Sequence, residues 1–165
     1  MVGAANDPAL YASGMSASDV SASTTIAAPP ATVFAIIADP RQHSRIDGSG
    51  TVREAVDGPE RLELGSTFGM NMKIGAPYRT KNKVVEYEPD RLISWRHFGT
   101  HRWRYELEPV DGGTLVTETW DLSHCNGVTK WALGAMGYPK RHQKGIEQTL
   151  VKLKAAAEAD AAVDA

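Results

Sequence analysis

Toward the end of the chain Ile146, Leu150, Leu153 and Ala157 recur at steps of four, three and four. That spacing stacks them on one face of a helix, predicted over about residues 139–159. Lys144, Glu147, Lys152, Lys154 and Glu158 lie mostly off the stripe, so the helix is half buried. Pro139 suits its first turn, where a missing N–H costs little. A helix with one long apolar stripe must lay it against something. Most of what precedes it alternates with the period of a strand, so a curved antiparallel sheet wrapped around the helix is the economical solution.

Taken in order, residues 20–27 alternate weakly and suit an edge or partly covered strand. Pro29 and Pro30 end it and open a helix whose apolar face is Val33, Phe34, Ile36 and Ile37. Asp39, Pro40 and Gln42 read as an N-cap, a first-turn proline and a capping-box partner for a second short helix, about 40–46. Strands are then predicted over 51–56, 67–74, 78–87, 92–98, 101–108 and 114–122. Turns fall at Asp57-Gly58-Pro59 and Glu88-Pro89-Asp90, and tight hairpins at Gly99-Thr100 and Asp111-Gly112-Gly113. Val128, Trp131, Ala132, Ala135 and Met136 return to helical spacing in a short, glycine-diluted helix. Gly137-Tyr138-Pro139 should break or kink it before the terminal helix. Residues 1–19, rich in Ala, Ser, Gly and Asp, read as a disordered leader within which Met15 is a second plausible start. Residues 20–158 form the domain, and 159–165 should fray.

This order, with three stretches in particular, resembles the START-like, helix-grip superfamily of polyketide cyclases/dehydrases and lipid-transfer proteins. The stretches are Ala28-Pro29-Pro30-Ala31-Thr32-Val33-Phe34 with Ala38-Asp39-Pro40, the run from Val84 to Arg96, and Gly113-Thr114-Leu115-Val116-Thr117-Glu118. They are turns, caps and strand cores, hence markers of fold rather than of chemistry. Many members carry Trp in the second short helix where this chain has Ile46. The resemblance implies an α+β fold: a seven-stranded curved antiparallel sheet gripping the long C-terminal helix, two short helices after the first strand, and an apolar cavity between sheet and helix. It assigns no catalytic residue to a position here.

Composition narrows the function. The 165 residues are 42% hydrophobic and 23% charged, with a formal net charge of -2, which suits one globular domain and argues against nucleic acid as a partner. A single cysteine, Cys125, excludes an intramolecular disulfide framework and a cysteine-based metal cluster. No apolar run spans a bilayer and no secretory pattern opens the chain, so a cytoplasmic protein, favoured as a monomer, is expected. His124, Cys125 and His142 lack metal-ligand spacing, and no phosphate-binding glycine loop or other cofactor motif is present. Lys81, Lys83, Arg102 and Arg104 read as a solvated outer face, and residues 140–144 as a solvated helix end.

Alternation then assigns an interior. Phe68, Met70 and Met72 share one face of their strand, Trp95 and His97 of theirs, and His101, Trp103 and Tyr105 of the next. Glu118 and Trp120 share the inward face of the last strand. Taken singly, each reads as core with its polar tip hydrogen-bonded. Taken as a set, Met and tipped aromatics suit an adaptable pocket for a hydrophobic small molecule, with Trp131 and Met136 of the glycine-diluted helix as further contacts and residues 127–139 as its gate. An inward carboxylate must find a partner or stay protonated. Glu118 with His97, His101 or Tyr105 is therefore the candidate acid–base group for a cyclisation or dehydration. A satisfied polar network is the preferred reading of the same residues.

Overall fold

The computed structural model describes residues 19–97 and 99–163. β1 (Val20–Ile26) leads through Pro29 into α1 (Pro30–Ile37), and a 3-10 turn (Pro40–Gln42) continues into α2 (His43–Ile46). Then come β2 (Val52–Asp57), β3 (Thr67–Ile74), β4 (Ala76–Glu88), β5 (Leu92–Arg96), β6 (Arg102–Val110) and β7 (Gly113–Asp121). α3 (Gly127–Ala135) and α4 (Tyr138–Val163) close the described chain. The strands form one antiparallel sheet in the order β1-β7-β6-β5-β4-β3-β2. β2 to β7 are a simple meander, and only β1 reaches across to pair with the last strand.

The predicted stripe of α4 is buried throughout: Ile146, Leu150, Leu153 and Ala157 face the sheet. Val33, Phe34, Ile36 and Ile37 of α1 join them over Ile26, Ile93, Leu107 and Val116. Each such side chain contributes about 1.5–3 kcal/mol by leaving water. This packing fills one end of the concave sheet and leaves the other to the functional site.

The loop after α2 is clamped to the middle of α4. Gly48 N–H donates to Thr149 Oγ1 at 2.9 Å and Lys152 Nζ to the Asp47 carbonyl at 2.6 Å. A Cβ at position 48 would lie 2.2 Å from the Thr149 backbone nitrogen, so only glycine permits the approach.

Three expectations are corrected. Residues 159–163, expected to fray, are helical because the end of α4 is tied to its neighbours. Arg45 of α2 holds Asp160 through two nitrogens at 2.7 and 2.9 Å, and Glu158 accepts the Ala27 N–H at 2.9 Å. The predicted leader, Met15 included, lies outside the described residues except for Asp19, whose Oδ1 accepts the Leu122 N–H at 2.9 Å. Gln42 is not the capping-box partner. The first turn is 3-10, so Asp39 instead accepts Arg41 N–H at 3.0 Å, and Gln42 Oε1 accepts from Arg45. Finally, β5 ends at Arg96 and β6 begins at Arg102, so the connection is wider than a tight hairpin and holds both His97 and His101. Phe98, at the end of the predicted strand, lies outside the described residues.

Arg102 and Arg104 do lie on the outer face, where Glu86 draws both within 3.3 and 3.5 Å. Cys125 is buried, with Thr100 Oγ1 at 3.3 Å from its sulfur. Among the described residues no helix is long and apolar enough to cross a membrane.

Candidate functional site

Between the open end of the sheet and the first half of α4 lies a cavity of about 740 Å³, within the range of small-molecule sites. Period-two alternation turns Phe68, Met70 and Met72 of β3 into it, with Trp95 of β5, Trp103 and Tyr105 of β6, and Glu118 and Trp120 of β7. His97 and His101 reach it from the β5–β6 connection. Twelve residues were expected to line the site, and the structure brings together all but Trp131 and Met136.

Two aromatic clusters shape the wall. In the deeper one His43 stacks on Trp95 with centroids 5.0 Å apart, Trp95 stacks on Tyr105 at 5.5 Å, and Phe68 meets His43 edge-on. His43 is oriented by donating Nε2–H to the Ile37 carbonyl at 2.8 Å. In the second, His142 of α4 sits among Trp120 at 4.3 Å, Trp103 at 5.0 Å and Tyr138 at 5.6 Å. His101 lies against the Trp120 ring and His97 against His101.

Glu118 is 3% exposed. β6 and β7 pair Tyr105 directly opposite it, and the Tyr105 hydroxyl donates to Glu118 Oε1 at 2.8 Å. Oε2 is buried without a hydrogen-bonding partner among the described residues, as is Trp120 Nε1. Burial pushes the Glu118 carboxyl up to about 8, the Tyr105 hydrogen bond opposes the shift, and the Asp47 charge adds to it. Burial and the same carboxylate raise the Tyr105 phenol well above its ordinary value. Glu118 is thus a neutral acid at pH 7, and its partner is Tyr105 rather than a histidine.

The cavity histidines are neutral as well. Burial, with the neighbouring imidazoles, holds His97 at about 4. Burial, His101 and Arg141 hold His142 at about 4, and burial lowers His43 and His101. The charged side chains of the lining are Arg141 and Lys144 of α4, which are exposed at its rim, and half-buried Asp47. Asp47 is occupied by its own loop, accepting from Ser49 and from Val52 N–H.

Trp131 and Met136 are corrections. Their helical spacing suggested an inward face, but α3 turns Leu133 to the cavity and leaves Trp131 75% exposed. A short helix diluted by glycine carries too few apolar positions for periodicity to tell its two sides apart. Conversely, His142, Tyr138, His43, Thr80 and Asn82 line the cavity although sequence reasoning did not place them there. The signal for two of them was present: stepping back by four from Ile146 gives His142, then Tyr138. Thr80 and Asn82 continue the inward alternation of Val84 along β4. Asn82 Nδ2, buried, donates to the Phe68 carbonyl at 3.3 Å.

A helix-gripping sheet with a neutral, aromatic-lined cavity defines a class of ligand-binding folds. The chain belongs to the polyketide cyclase / dehydrase and lipid transport family, whose sequence model matches residues 17–158. An uncharacterised protein of Mycobacterium tuberculosis, Rv0088, is 45% identical over 139 residues, covering 81% of this chain. The match spans 62% of that relative's length. Among solved structures, protein NE0264 from Nitrosomonas europaea superposes with a TM-score of 0.67 at 17% identity, covering 90% of this chain and 99% of its own. Protein Ms6760 from Mycobacterium smegmatis gives 0.62 at 21% identity, covering 83% and 91%. At these identities the two structures establish the fold.

Proposed function

We propose that the protein binds a hydrophobic or amphipathic small molecule, of lipid, polyketide-like or isoprenoid type, and acts as its carrier. The observation that carries this reading is the cavity of about 740 Å³ whose buried titratable groups are all held neutral. Such a wall favours an uncharged ligand body, because an ion taken from water would have no counter-charge there. The free Oε2 of protonated Glu118 and the Trp120 indole N–H offer donors to one polar group of the ligand. Arg141 and Lys144 at the rim suit a polar or anionic head. Residues 127–139 serve as the gate, hinged at Gly137 with φ 74°. The reading places a monomer in the cytoplasm.

A second reading, a polyketide cyclase or dehydratase, draws on the Glu118–Tyr105 pair. A neutral acid with a value of about 8 could protonate a carbonyl or departing hydroxyl oxygen through Oε2 and retake the proton from carbon, Tyr105 stabilising the carboxylate between the two steps. Glu118→Gln keeps the hydrogen bond to Tyr105 but has no acidic proton. It should abolish turnover if the protein is an enzyme and change affinity only modestly if it is a carrier.

The carrier reading is tested by titrating an environment-sensitive naphthylamine dye into the purified protein and displacing it with fatty acids. Saturable binding is expected, weakened at least about tenfold in Met72→Trp, which places an indole in the cavity. Dye that fails to bind saturably, or binds Met72→Trp as it binds wild type, would exclude the cavity as the site.

A further inference from the structure

α3 rests on the domain by one side only. Leu133 packs against the core, and no residue of the helix is fully buried. At 100° per residue, Val128 and Trp131 fall on the side opposite Leu133. There they are 77% and 75% exposed, and Met136, the C-cap, is 69% exposed. Single exposed apolar residues are ordinary. Two large ones on the same side of a nine-residue helix, Val128 and Trp131, form a patch.

Charge in the same stretch is one-sided. Between Asp121 and Glu147 the chain carries Lys130, Lys140, Arg141 and Lys144 and no acidic residue, although the whole chain has 20 acids against 18 Lys and Arg. Among the described residues none of these four cations joins an ion pair. An exposed indole and aliphatic side chains flanked by unpaired cations match the chemistry of an anionic membrane surface, where the ring sits at headgroup depth and the cations meet lipid phosphates.

We infer that the outward face of α3, with the cations that open α4, docks the protein reversibly on an anionic lipid bilayer. Docking would set α3, whose inner side carries the Leu133 contact to the cavity, against the lipid surface. It stands on the patch alone, whatever the cavity holds.

Flotation of the full chain with vesicles tests this, using phosphatidylcholine alone and phosphatidylcholine mixed with phosphatidylglycerol. Binding is expected to the mixed vesicles and to fall with added salt. Trp131→Ser should weaken it about tenfold or more. Lys130→Gln and Lys140→Gln should weaken it about fivefold each. All three positions are outside the core, so thermal unfolding should match wild type and exclude misfolding as the cause. Absence of binding to the anionic vesicles would overturn the inference, as would wild-type binding by Trp131→Ser. Concentration-dependent dimerisation abolished by Trp131→Ser, without vesicle binding, would identify the patch as a contact between copies and equally overturn it.

Discussion

Stability should peak near pH 6.5 and fall on either side, and Glu118→Gln should remove the alkaline fall. In the unfolded chain the Glu118 carboxyl loses its proton near 4.5, whereas in the fold it keeps it to about 8. Between those values the folded state holds more protons than the unfolded one, so stability falls as pH rises, by on the order of 4 kcal/mol in total. His97 and His142 act in the opposite sense. Each is held near 4 in the fold against an ordinary 6.5, so between 6.5 and 4 the unfolded chain binds protons that the fold refuses, and stability falls on acidification. His43 and His101, also lowered, add to that limb. Where the windows overlap, the histidines outnumber the single carboxyl, which puts the maximum near their ordinary value. The charged and titratable neighbours of Glu118 are Asp47 and Tyr105, and Tyr105 stays protonated throughout this range. Urea unfolding of wild type and Glu118→Gln at stepped pH reads the effect. The curves should converge below about pH 4.5 and separate progressively from there to about pH 8, with Gln the more stable. Parallel curves would mean that Glu118 is ionised in the fold.

Trp120→Ala should cost about 3 kcal/mol or more, while Trp131→Ala should change stability by less than about 0.5 kcal/mol. The Trp120 ring is among the largest fully buried side chains and lies between His142 and His101. Its removal would extend the cavity into the packed layer between β7 and α4 and unseat His142. Trp131 has mostly solvent around it. Urea midpoints for the two variants give the comparison directly. Similar losses at both positions would contradict the placement of α3.

The two tryptophans also mark how far the sequence was legible. Strands with strict alternation gave up their inward faces, which is why Trp120, Glu118 and the aromatic set from β5 and β6 were placed correctly. The Ile146–Ala157 stripe likewise revealed the buried side of α4. What failed was local: α3 has too little apolar pattern for its sides to be told apart, and the last residues of α4 look frayed until Arg45 is seen to reach Asp160 from more than a hundred positions away. The partner of Glu118 was a choice among Tyr105, Trp103, His97 and His101 because alternation assigns a face but not a register. The pairing of β6 with β7 puts Tyr105 opposite it. His142 was hidden by its setting, a basic cluster that resembles a solvated helix end. The apolar stripe continued upstream would have found it.

Native mass spectrometry of protein purified gently from its own host, followed by solvent extraction, tests the ligand-binding cavity most directly. The expected result is an adduct of defined mass that passes into organic solvent and is depleted in Met72→Trp. Bare protein that also takes up neither fatty acids nor aromatic polyketides when they are offered would contradict the account, and the ring-lined space under α4 would then be no ligand site.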